Sequence, residues 1–227
     1  MHLPQIIIVM IMAALATSVL TSVEIPILEH KQLRQFIRTA GPKSHLKKSG
    51  TPTMGGIAII AGLILATVVG MEFTIDSVVM IVVTLMFSFI GFTDDYIKVS
   101  KKHNLGLRAW QKLFLQVIFA AGFAIYMANY SGYGTEVWIP FANKYADFGV
   151  YYIPFITFVI VAMVNSVNLT DGLDGLASGI TILVAFFLAM AGIAFSNNSV
   201  AVFCAALSGA RLGFLFFNRH PAKVFMG

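Results

Sequence analysis

The run SVVMIVVTLMFSFIGFTDD, residues 77–95, decides the fold class. It is almost entirely apolar until two adjacent aspartates close it. A helix needs about 20 mostly apolar residues to cross a bilayer, and soluble domains do not need apolar runs of this length. The run therefore predicts a membrane-spanning helix whose polar end carries a pair of carboxylates.

Similar apolar stretches recur along the chain, in which 58% of the 227 residues are hydrophobic. The predicted spans are residues 3–28, 55–71, 75–93, 110–129, 148–167, 175–196 and 199–217. In lipid, only helices and closed barrels satisfy their own backbone hydrogen bonds. The sequence therefore predicts an all-α, polytopic transmembrane helical bundle of about seven spans, forming one integral membrane domain over residues 1–227.

The first and seventh predicted spans each argue against one alternative, a secretory signal and an intrachain disulfide. The first stretch lacks a basic leader and a small-residue cleavage site, so we expect a retained span rather than a secretory signal. The single cysteine, Cys204, lies inside the seventh stretch, which excludes an intrachain disulfide.

Basic residues are concentrated on one side of the predicted bundle. All 15 lysines and arginines except Lys144 fall between spans 1 and 2, between spans 3 and 4, or at the end of span 7. These segments lie on the same side of the membrane if successive spans cross it in opposite directions. Basic loops are cytoplasmic, so the N-terminus is expected outside. The excess has two interpretations: an orientation signal that also contacts anionic lipid, or a field that attracts an anionic substrate.

The paired-aspartate run, Gly91–Lys98 (GFTDDYIK), ends the third span on the predicted cytoplasmic side. Adjacent carboxylates repel unless a positive group compensates them, and on a helix Lys98 shares a face with Asp94. One interpretation is a solvated helix end with a local ion pair. The others are a Mg²⁺ site, since hard cations prefer oxygen ligands, or a general base or nucleophile.

The aspartate-glycine run, Asn165–Gly175 (NSVNLTDGLDG), lies at the mouth of the sixth span. If it is helical, Asp171 and Asp174 share one face, and Asn168 extends it. Ionisable groups at a membrane boundary are costly, which favours a functional site. The alternative is a capped helix start, with Asn168, Thr170 or Asp171 as the N-cap.

Two further polar runs flank the spans. The Thr-Pro-Thr run, Ser44–Gly56 (SHLKKSGTPTMGG), suits phosphate binding, or it is a basic loop whose Pro52 begins a helix. The C-terminal run, Asn218–Gly227 (NRHPAKVFMG), offers groups for a phosphate, a sugar or a base, or is an ordinary basic helix end.

Together these four runs resemble the polyprenyl-phosphate N-acetylhexosamine-1-phosphate transferases (glycosyltransferase 4), and within them the bacterial phospho-N-acetylmuramoyl-pentapeptide transferases. The resemblance implies a ten-span fold in the bacterial cytoplasmic (inner) membrane. It also implies transfer of phospho-MurNAc-pentapeptide from UDP-MurNAc-pentapeptide to undecaprenyl phosphate, giving lipid I and UMP with Mg²⁺ in peptidoglycan biosynthesis. A homodimer is plausible by the same likeness, and no nucleic-acid partner is expected.

The resemblance also implies roles for individual residues. Asp94 and Asp95 match the family's catalytic aspartates, with Asp94 activating the acceptor phosphate. Lys98 and Lys112 are the expected phosphate contacts. The expected substrate-binding residues, with Asp174 nearest uracil and Phe225 stacking on it, are Lys48, Thr53, Asn168, Asp171, Asp174, Asn218 and Phe225.

The sequence ends at Gly227, where the family continues with an Asp-Thr-Gly run that supplies its principal Mg²⁺ ligand. The metal ligands are therefore open, with Asp94 or Asp171 as assisting ligands. We expect a C-terminally truncated and inactive fragment. Three other functions stay open: transfer from UDP-GlcNAc or another UDP-sugar, transport with the aspartates as coupling groups, or a non-catalytic membrane scaffold.

Overall fold

The computed structural model describes residues 2–34, 50–71, 73–101 and 105–227. Helices dominate these ranges, and two of the helices are joined by a β-hairpin with two short 3₁₀ turns. The elements in chain order are α1 Leu3–His30, α2 Gly56–Gly70, α3 Ile75–Ser100, α4 Ala109–Asn129, β1 Glu136–Ile139, the turn Pro140–Ala142, β2 Lys144–Asp147, the turn Gly149–Tyr151, α5 Tyr152–Thr170, α6 Leu176–Ala194 and α7 Asn198–Asn218.

The helices confirm an all-α polytopic membrane protein. Within the described residues, 6 helices are long and apolar enough to cross a membrane, and α2 is a shorter apolar helix of 15 residues. At 1.5 Å per residue α2 is about 22 Å long, less than the ~30 Å hydrocarbon core. Large apolar side chains such as Leu15, Leu183 and Phe187 are 63%, 72% and 70% exposed, as expected of lipid-facing surfaces.

The chain divides into two compact units. The first comprises Met1–Gly106 and Thr170–Gly227, and the second comprises Leu107–Leu169. The expectation of one membrane domain stays a prediction.

In the first unit, α7 is the central helix and packs against α1, α2 and α6. Its buried face consists mainly of alanine and glycine, with Phe214 fully buried. Gly209 and Gly213, one turn apart, lie so close to α1 that a β-carbon would overlap the backbone carbonyls of Met10 and Ala14. Small residues at this spacing allow membrane helices to approach closely.

The segment before α2 is extended rather than helical. Pro52 pairs with Arg34 in an isolated β-bridge, and the backbone amide of Thr53 donates to the carbonyl of Leu33 at 3.0 Å. The helix starts only at Gly56, so the hypothesis that Pro52 begins it is wrong. Glu24 of α1 accepts a hydrogen bond from the backbone amide of Ala58, in the first turn of α2. This bond satisfies one of the backbone amides that the first turn of a helix leaves without an intrahelical partner.

The second unit contains α4, the hairpin and α5. The strands are antiparallel, with Glu136 opposite Asp147 and Trp138 opposite Tyr145. Between the helices, the Asn165 amide donates to Gln116 Oε1 at 2.8 Å. Gln116 is almost fully buried, so the bond satisfies a polar group that lipid cannot.

Candidate active site

The paired aspartates lie in the last two turns of α3, where Lys98 binds both. Lys98 Nζ is 2.7 Å from Asp94 Oδ2 and 2.9 Å from Asp95 Oδ1. The aspartate side chains are only 11% and 13% exposed. This confirms the predicted face shared by Asp94 and Lys98. Lys98 therefore compensates part of the repulsion between two adjacent carboxylates.

Two glycines from distant segments close around this pair. A β-carbon at Gly106 would overlap Asp94 Oδ1, and one at Gly227 would lie 2.6 Å from Asp95 Oδ2. Gly227 also packs against the backbone of Met54. The Thr-Pro-Thr run, the paired-aspartate run and the C-terminal run therefore meet at one place in the first unit.

Backbone hydrogen bonds join the Thr-Pro-Thr run to the C-terminal run. The amide of Phe225 donates to the carbonyl of Pro52 at 2.8 Å, and the amide of Gly55 donates to the carbonyl of Phe225 at 3.0 Å. The amide of Gly56 donates to the carbonyl of Met226 at 2.8 Å. Gly55 also needs its small size, because a β-carbon would lie 2.7 Å from the Phe214 ring. Thr53 is buried within this strand-like pairing.

The aspartates of the aspartate-glycine run lie in a turn between α5 and α6, not in a helix. The N-cap of α6 is Gly175, at a positive φ of 75° that glycine adopts without strain. The capping hypothesis for Asn168, Thr170 or Asp171 is therefore wrong, because α6 begins after the turn.

Asp174 holds the C-terminal run in place. Its Oδ2 lies 3.0 Å from His220 Nδ1 and accepts a hydrogen bond of 3.3 Å from the backbone amide of Ala222. The Asp174 side chain is 6% exposed, whereas that of His220 is 82% exposed. A ligand that reaches this carboxylate must therefore replace or extend these contacts.

Asn218 joins the same two runs from the end of α7. Its Oδ1 accepts from the Gly175 amide at 3.1 Å, and its Nδ2 donates to the Val224 carbonyl at 3.0 Å. Asn218 is only 2% exposed. These bonds make it a positioning residue for the turn, and its predicted contact with a nucleotide stays a prediction.

Arg211 is a residue whose importance the sequence interpretation missed. It lies on α7, where its positive charge interacts favourably with Asp171 and its Nη1 contacts Met226 Sδ. Its Nε is buried without a hydrogen-bond partner among the described residues. The available signal was a lone arginine inside an apolar helix, which by itself indicates function.

Three predicted residues are not among the described residues of the first unit. In the second unit, Lys112 Nζ donates to Asn168 Oδ1 at 3.3 Å, which pairs a predicted phosphate contact with a predicted nucleotide contact. Lys48 lies outside the described residues, as do Ser44–Ser49 of its run.

A cavity of about 580 Å³ opens beside Asp95, between α2, α3 and α7. We call it the lateral cavity. Its walls are mainly apolar, and its polar side chains are Ser88, Asp95 and Arg211. The volume lies within the ~300–1,000 Å³ typical of small-molecule sites.

The donor chemistry of the pair suits Mg²⁺. Proteins commonly bind Mg²⁺ through one or two carboxylates together with substrate phosphates, and Asp94 and Asp95 supply two. Over the ranges that the structure describes, no group of 3 or more His, Cys, Asp or Glu side chains is placed to hold a metal by itself. Any Mg²⁺ here would therefore take further ligands from substrate or water.

Comparison with known proteins gives the family. Residues 77–227 match the model of glycosyl transferase family 4, and residues 48–60 match signature 1 of the phospho-N-acetylmuramoyl-pentapeptide-transferases. A phospho-N-acetylmuramoyl-pentapeptide-transferase of Clostridium beijerinckii is 47% identical over 221 residues, which are 96% of this chain and 67% of that protein. The proteins of that name from Clostridium botulinum and Clostridium perfringens are 43% identical over 225 residues, covering 99% of this chain and 69% and 70% of theirs.

The fold is a helical membrane bundle, and a carboxylate–lysine cluster lies at one helix end. Together with these matches, the fold and the cluster define a membrane-embedded phosphotransferase. The chain belongs to glycosyl transferase family 4, among the phospho-N-acetylmuramoyl-pentapeptide-transferases. The resemblance inferred from the four polar runs is therefore confirmed.

Proposed function

We propose that this protein transfers phospho-MurNAc-pentapeptide from UDP-MurNAc-pentapeptide to undecaprenyl phosphate, forming lipid I and UMP. The names of its relatives support this reaction. The observation that carries it is the meeting of three polar runs at Asp94, Asp95 and Lys98, at the end of an apolar helix. A reaction between a water-soluble nucleotide and a lipid needs its catalytic groups at such a boundary.

The chemistry proposed for the cluster is phosphoryl transfer. An oxygen of the lipid phosphate forms a bond to the phosphorus that carries the sugar, and the bond from that phosphorus to UMP breaks. UMP leaves with the electron pair. Asp94 accepts the proton of a singly protonated acceptor phosphate, and Lys98 neutralises phosphate charge. A two-step route through an aspartyl-phosphate uses the same carboxylates.

Mg²⁺ is the proposed cofactor, and Asp94 and Asp95 are the residues proposed to hold it, with Asp171 as a further candidate. When bound, it would neutralise phosphate charge beside these carboxylates. The observation that supports this role is that both carboxylates lie together at one helix end beside Lys98.

The nucleotide is proposed to bind along the aspartate-glycine run and the C-terminal run. Asp174 faces uracil, and Phe225 stacks on it. The remaining proposed nucleotide contacts are Asp171, Asn168, Asn218, Thr53 and Lys48. Lys112 is a proposed phosphate contact, as Lys98 is. Asp174 and Asn218 already fix the geometry of both runs, so their substitution should affect nucleotide binding through position as well as contact.

The site is proposed to face the cytoplasm of a bacterial inner membrane, with the N-terminus outside. Its support is the distribution of basic residues, which all except Lys144 fall on one side under alternation. A homodimer also stays a prediction.

A donor panel tests the proposed reaction. Purified protein in detergent receives undecaprenyl phosphate, Mg²⁺ and either UDP-MurNAc-pentapeptide or UDP-GlcNAc, and both UMP release and donor binding are measured. We expect binding to favour UDP-MurNAc-pentapeptide and to weaken in Asp174→Asn, while Asp147→Asn on the hairpin serves as the matched control. Preferential binding or turnover of UDP-GlcNAc would contradict the proposal. UMP release by the 227-residue chain would overturn only the expected inactivity.

A further inference from the structure

Two side-chain hydrogen bonds join α4 to α5 in the second unit, about one helical turn apart. At the helix ends, Lys112 Nζ donates to Asn168 Oδ1 at 3.3 Å, and we call these residues the outer pair. Further into the span, Asn165 Nδ2 donates to Gln116 Oε1 at 2.8 Å, and we call these the inner pair. Residues three or four apart share one face of a helix. Both pairs therefore belong to the same contact between the two helices.

The inner pair has a fixed geometry. Asn165 Nδ2 also donates to the carbonyl of Val161, one turn earlier on its own helix, at 2.8 Å. An amide nitrogen carries two hydrogens, so one hydrogen ties the side chain to α5 while the other points at α4. Gln116 is almost fully buried, and lipid would not replace a lost partner there. The inner pair therefore favours one register of α4 against α5.

The outer pair does not set that register by itself. Its bond is open to solvent and slightly longer than the usual length of about 2.7–3.2 Å. A lysine ammonium is a compact charge on a flexible stem of four carbons, so it does not hold two helices at a defined height. The place of the Lys112 ammonium beside Asn168 therefore depends on the packing of the helices below it.

We propose that Gln116 and Asn165 are positioning residues, which set the register of α4 against α5 and so hold the Lys112 ammonium beside Asn168. This inference rests on the proposed function, in which Lys112 contacts a phosphate and Asn168 contacts the nucleotide. It adds which residues bring these two contacts together. Neither amide of the inner pair touches the substrate, and their effect passes through Lys112.

The first measurement reads the register without any ligand. Lys112→Cys and Asn168→Cys are combined in one chain, and a short bifunctional methanethiosulfonate cross-links them in nanodiscs. We expect Asn165→Leu to slow cross-linking about fivefold, the factor that one average hydrogen bond contributes. Asn129→Leu is the matched control, because its amide also donates to a carbonyl one turn earlier, that of Ile125, but at the opposite end of α4. It should leave the rate unchanged, whereas an unchanged rate in Asn165→Leu would overturn the inference.

The second measurement asks whether the register matters for phosphate binding. UMP and uridine differ by the phosphate, so the ratio of their affinities isolates a phosphate contact. We expect Asn165→Leu and Lys112→Met each to weaken UMP binding about fivefold and to leave uridine binding unchanged. The double variant should bind UMP no more weakly than Lys112→Met alone, because both changes remove the same contact. A lower thermal midpoint with an unchanged ratio would reveal a structural role only and contradict the proposal.

An exchange of the two amides serves where Asn165→Leu does not fold. Gln116→Asn shortens one side chain by a methylene and should slow cross-linking, and Asn165→Gln in the same chain should restore the rate by restoring the combined length. Failure of the exchange to restore it counts against the inference.

The two readouts separate this inference from the proposed function. A wild-type chain that binds neither UMP nor uridine counts against the proposed function, while the cross-linking rate still decides whether the inner pair sets the register. Normal wild-type binding together with an unchanged UMP-to-uridine ratio in Asn165→Leu counts against the positioning role alone.

Discussion

Lys98 stabilises the two buried carboxylates of the paired-aspartate run. It contacts both carboxylates, and about one third of its side chain is exposed, at 36%. Removal of one partner from a buried ion pair costs about 3–5 kcal/mol because the remaining charge is left uncompensated. Partial exposure and solvent screening reduce this cost here.

We therefore expect Lys98→Met to lower the free energy of unfolding by about 1–3 kcal/mol, after that discount. Lys98→Arg should restore most of the loss, because it keeps the charge near both aspartates. Thermal unfolding in detergent measures the effect, with Lys144→Met on the exposed hairpin as control. Equal midpoints for Lys98→Met and wild-type protein would show that the ion pairs add no stability.

At this scale, local spacing predicted what lies within one helix. The contact of Lys98 with Asp94 follows from their four-residue separation. The contacts of Asn218 with Gly175 and Val224 do not, because they depend on how α7 approaches the α5–α6 turn. The residues alone suggested Asn218 only as one of several groups that could contact a phosphate or a sugar, and the family resemblance implied its contact with the nucleotide.

Among the elements, α7 depends most on small residues. Gly209 and Gly213 allow its backbone to reach that of α1, and Ser18 of α1 donates to the Gly213 carbonyl at 3.1 Å. A side chain that is too large for a well-packed interface typically destabilises the fold by about 1–3 kcal/mol. At Gly209 and Gly213 the added atoms would meet the backbone of α1, which cannot move aside as a side chain can.

For this reason Gly213→Val should destabilise the fold by at least about 2 kcal/mol. Gly122→Val makes the same change of helix propensity, but its side chain would project into open space. It should therefore lower the free energy of unfolding by less than about 1 kcal/mol. Unfolding of both variants in a denaturing detergent series gives the comparison. Similar losses for the two variants would mean that propensity, not packing against α1, decides the result.

The hairpin offers a prediction on pH. The pKa of Asp147 lies below its usual value because the Thr135 hydroxyl and the Gly149 amide donate to its carboxylate. A lowered pKa means that the stabilisation is present above the unfolded pKa and is lost as pH falls through the folded one. We expect the β1–β2 pairing to weaken on acidification below about pH 4.

Trp138 fluorescence in a Trp110→Phe background reports that change, since Trp138 lies opposite Tyr145 in the hairpin. Asp147→Asn should show little of this pH dependence. A wild-type signal that is flat from neutral pH to pH 3 would contradict the expected role of the carboxylate.

Hydropathy predicted the helices well but not their polar ends. The third span was expected to end at residue 93, whereas α3 continues to Ser100 because Lys98 satisfies the two aspartates within the helix. The hairpin was also missed, since its strands have only 4 residues each and their pairing depends on the turn between them.

At the scale of the whole molecule, the first unit joins segments that lie far apart in the sequence. Residues 52–56 and 225–226 exchange backbone hydrogen bonds, although most of the sequence lies between them. No periodicity in the sequence encodes such a pairing. Composition and spacing could identify the polar runs, but only the packing of α1, α2 and α7 shows which of them meet.

Orientation in the membrane is the remaining prediction at this scale. Under alternation, the hairpin carrying Lys144 should lie outside, and the segments carrying Lys101 and Lys223 should lie in the cytoplasm. All three side chains are exposed, so cysteines at these positions should react with a soluble maleimide. The native Cys204 is buried in α7, which keeps the background low.

With a maleimide that cannot cross the membrane, we expect Lys144→Cys to be labelled in intact cells whose outer envelope has been opened. Lys101→Cys and Lys223→Cys should be labelled only after the cytoplasmic membrane is permeabilised. Labelling of Lys223→Cys without permeabilisation would place the C-terminal run outside. The proposed site would then face away from the compartment that supplies UDP-linked sugars, and the proposed reaction would lose its substrate.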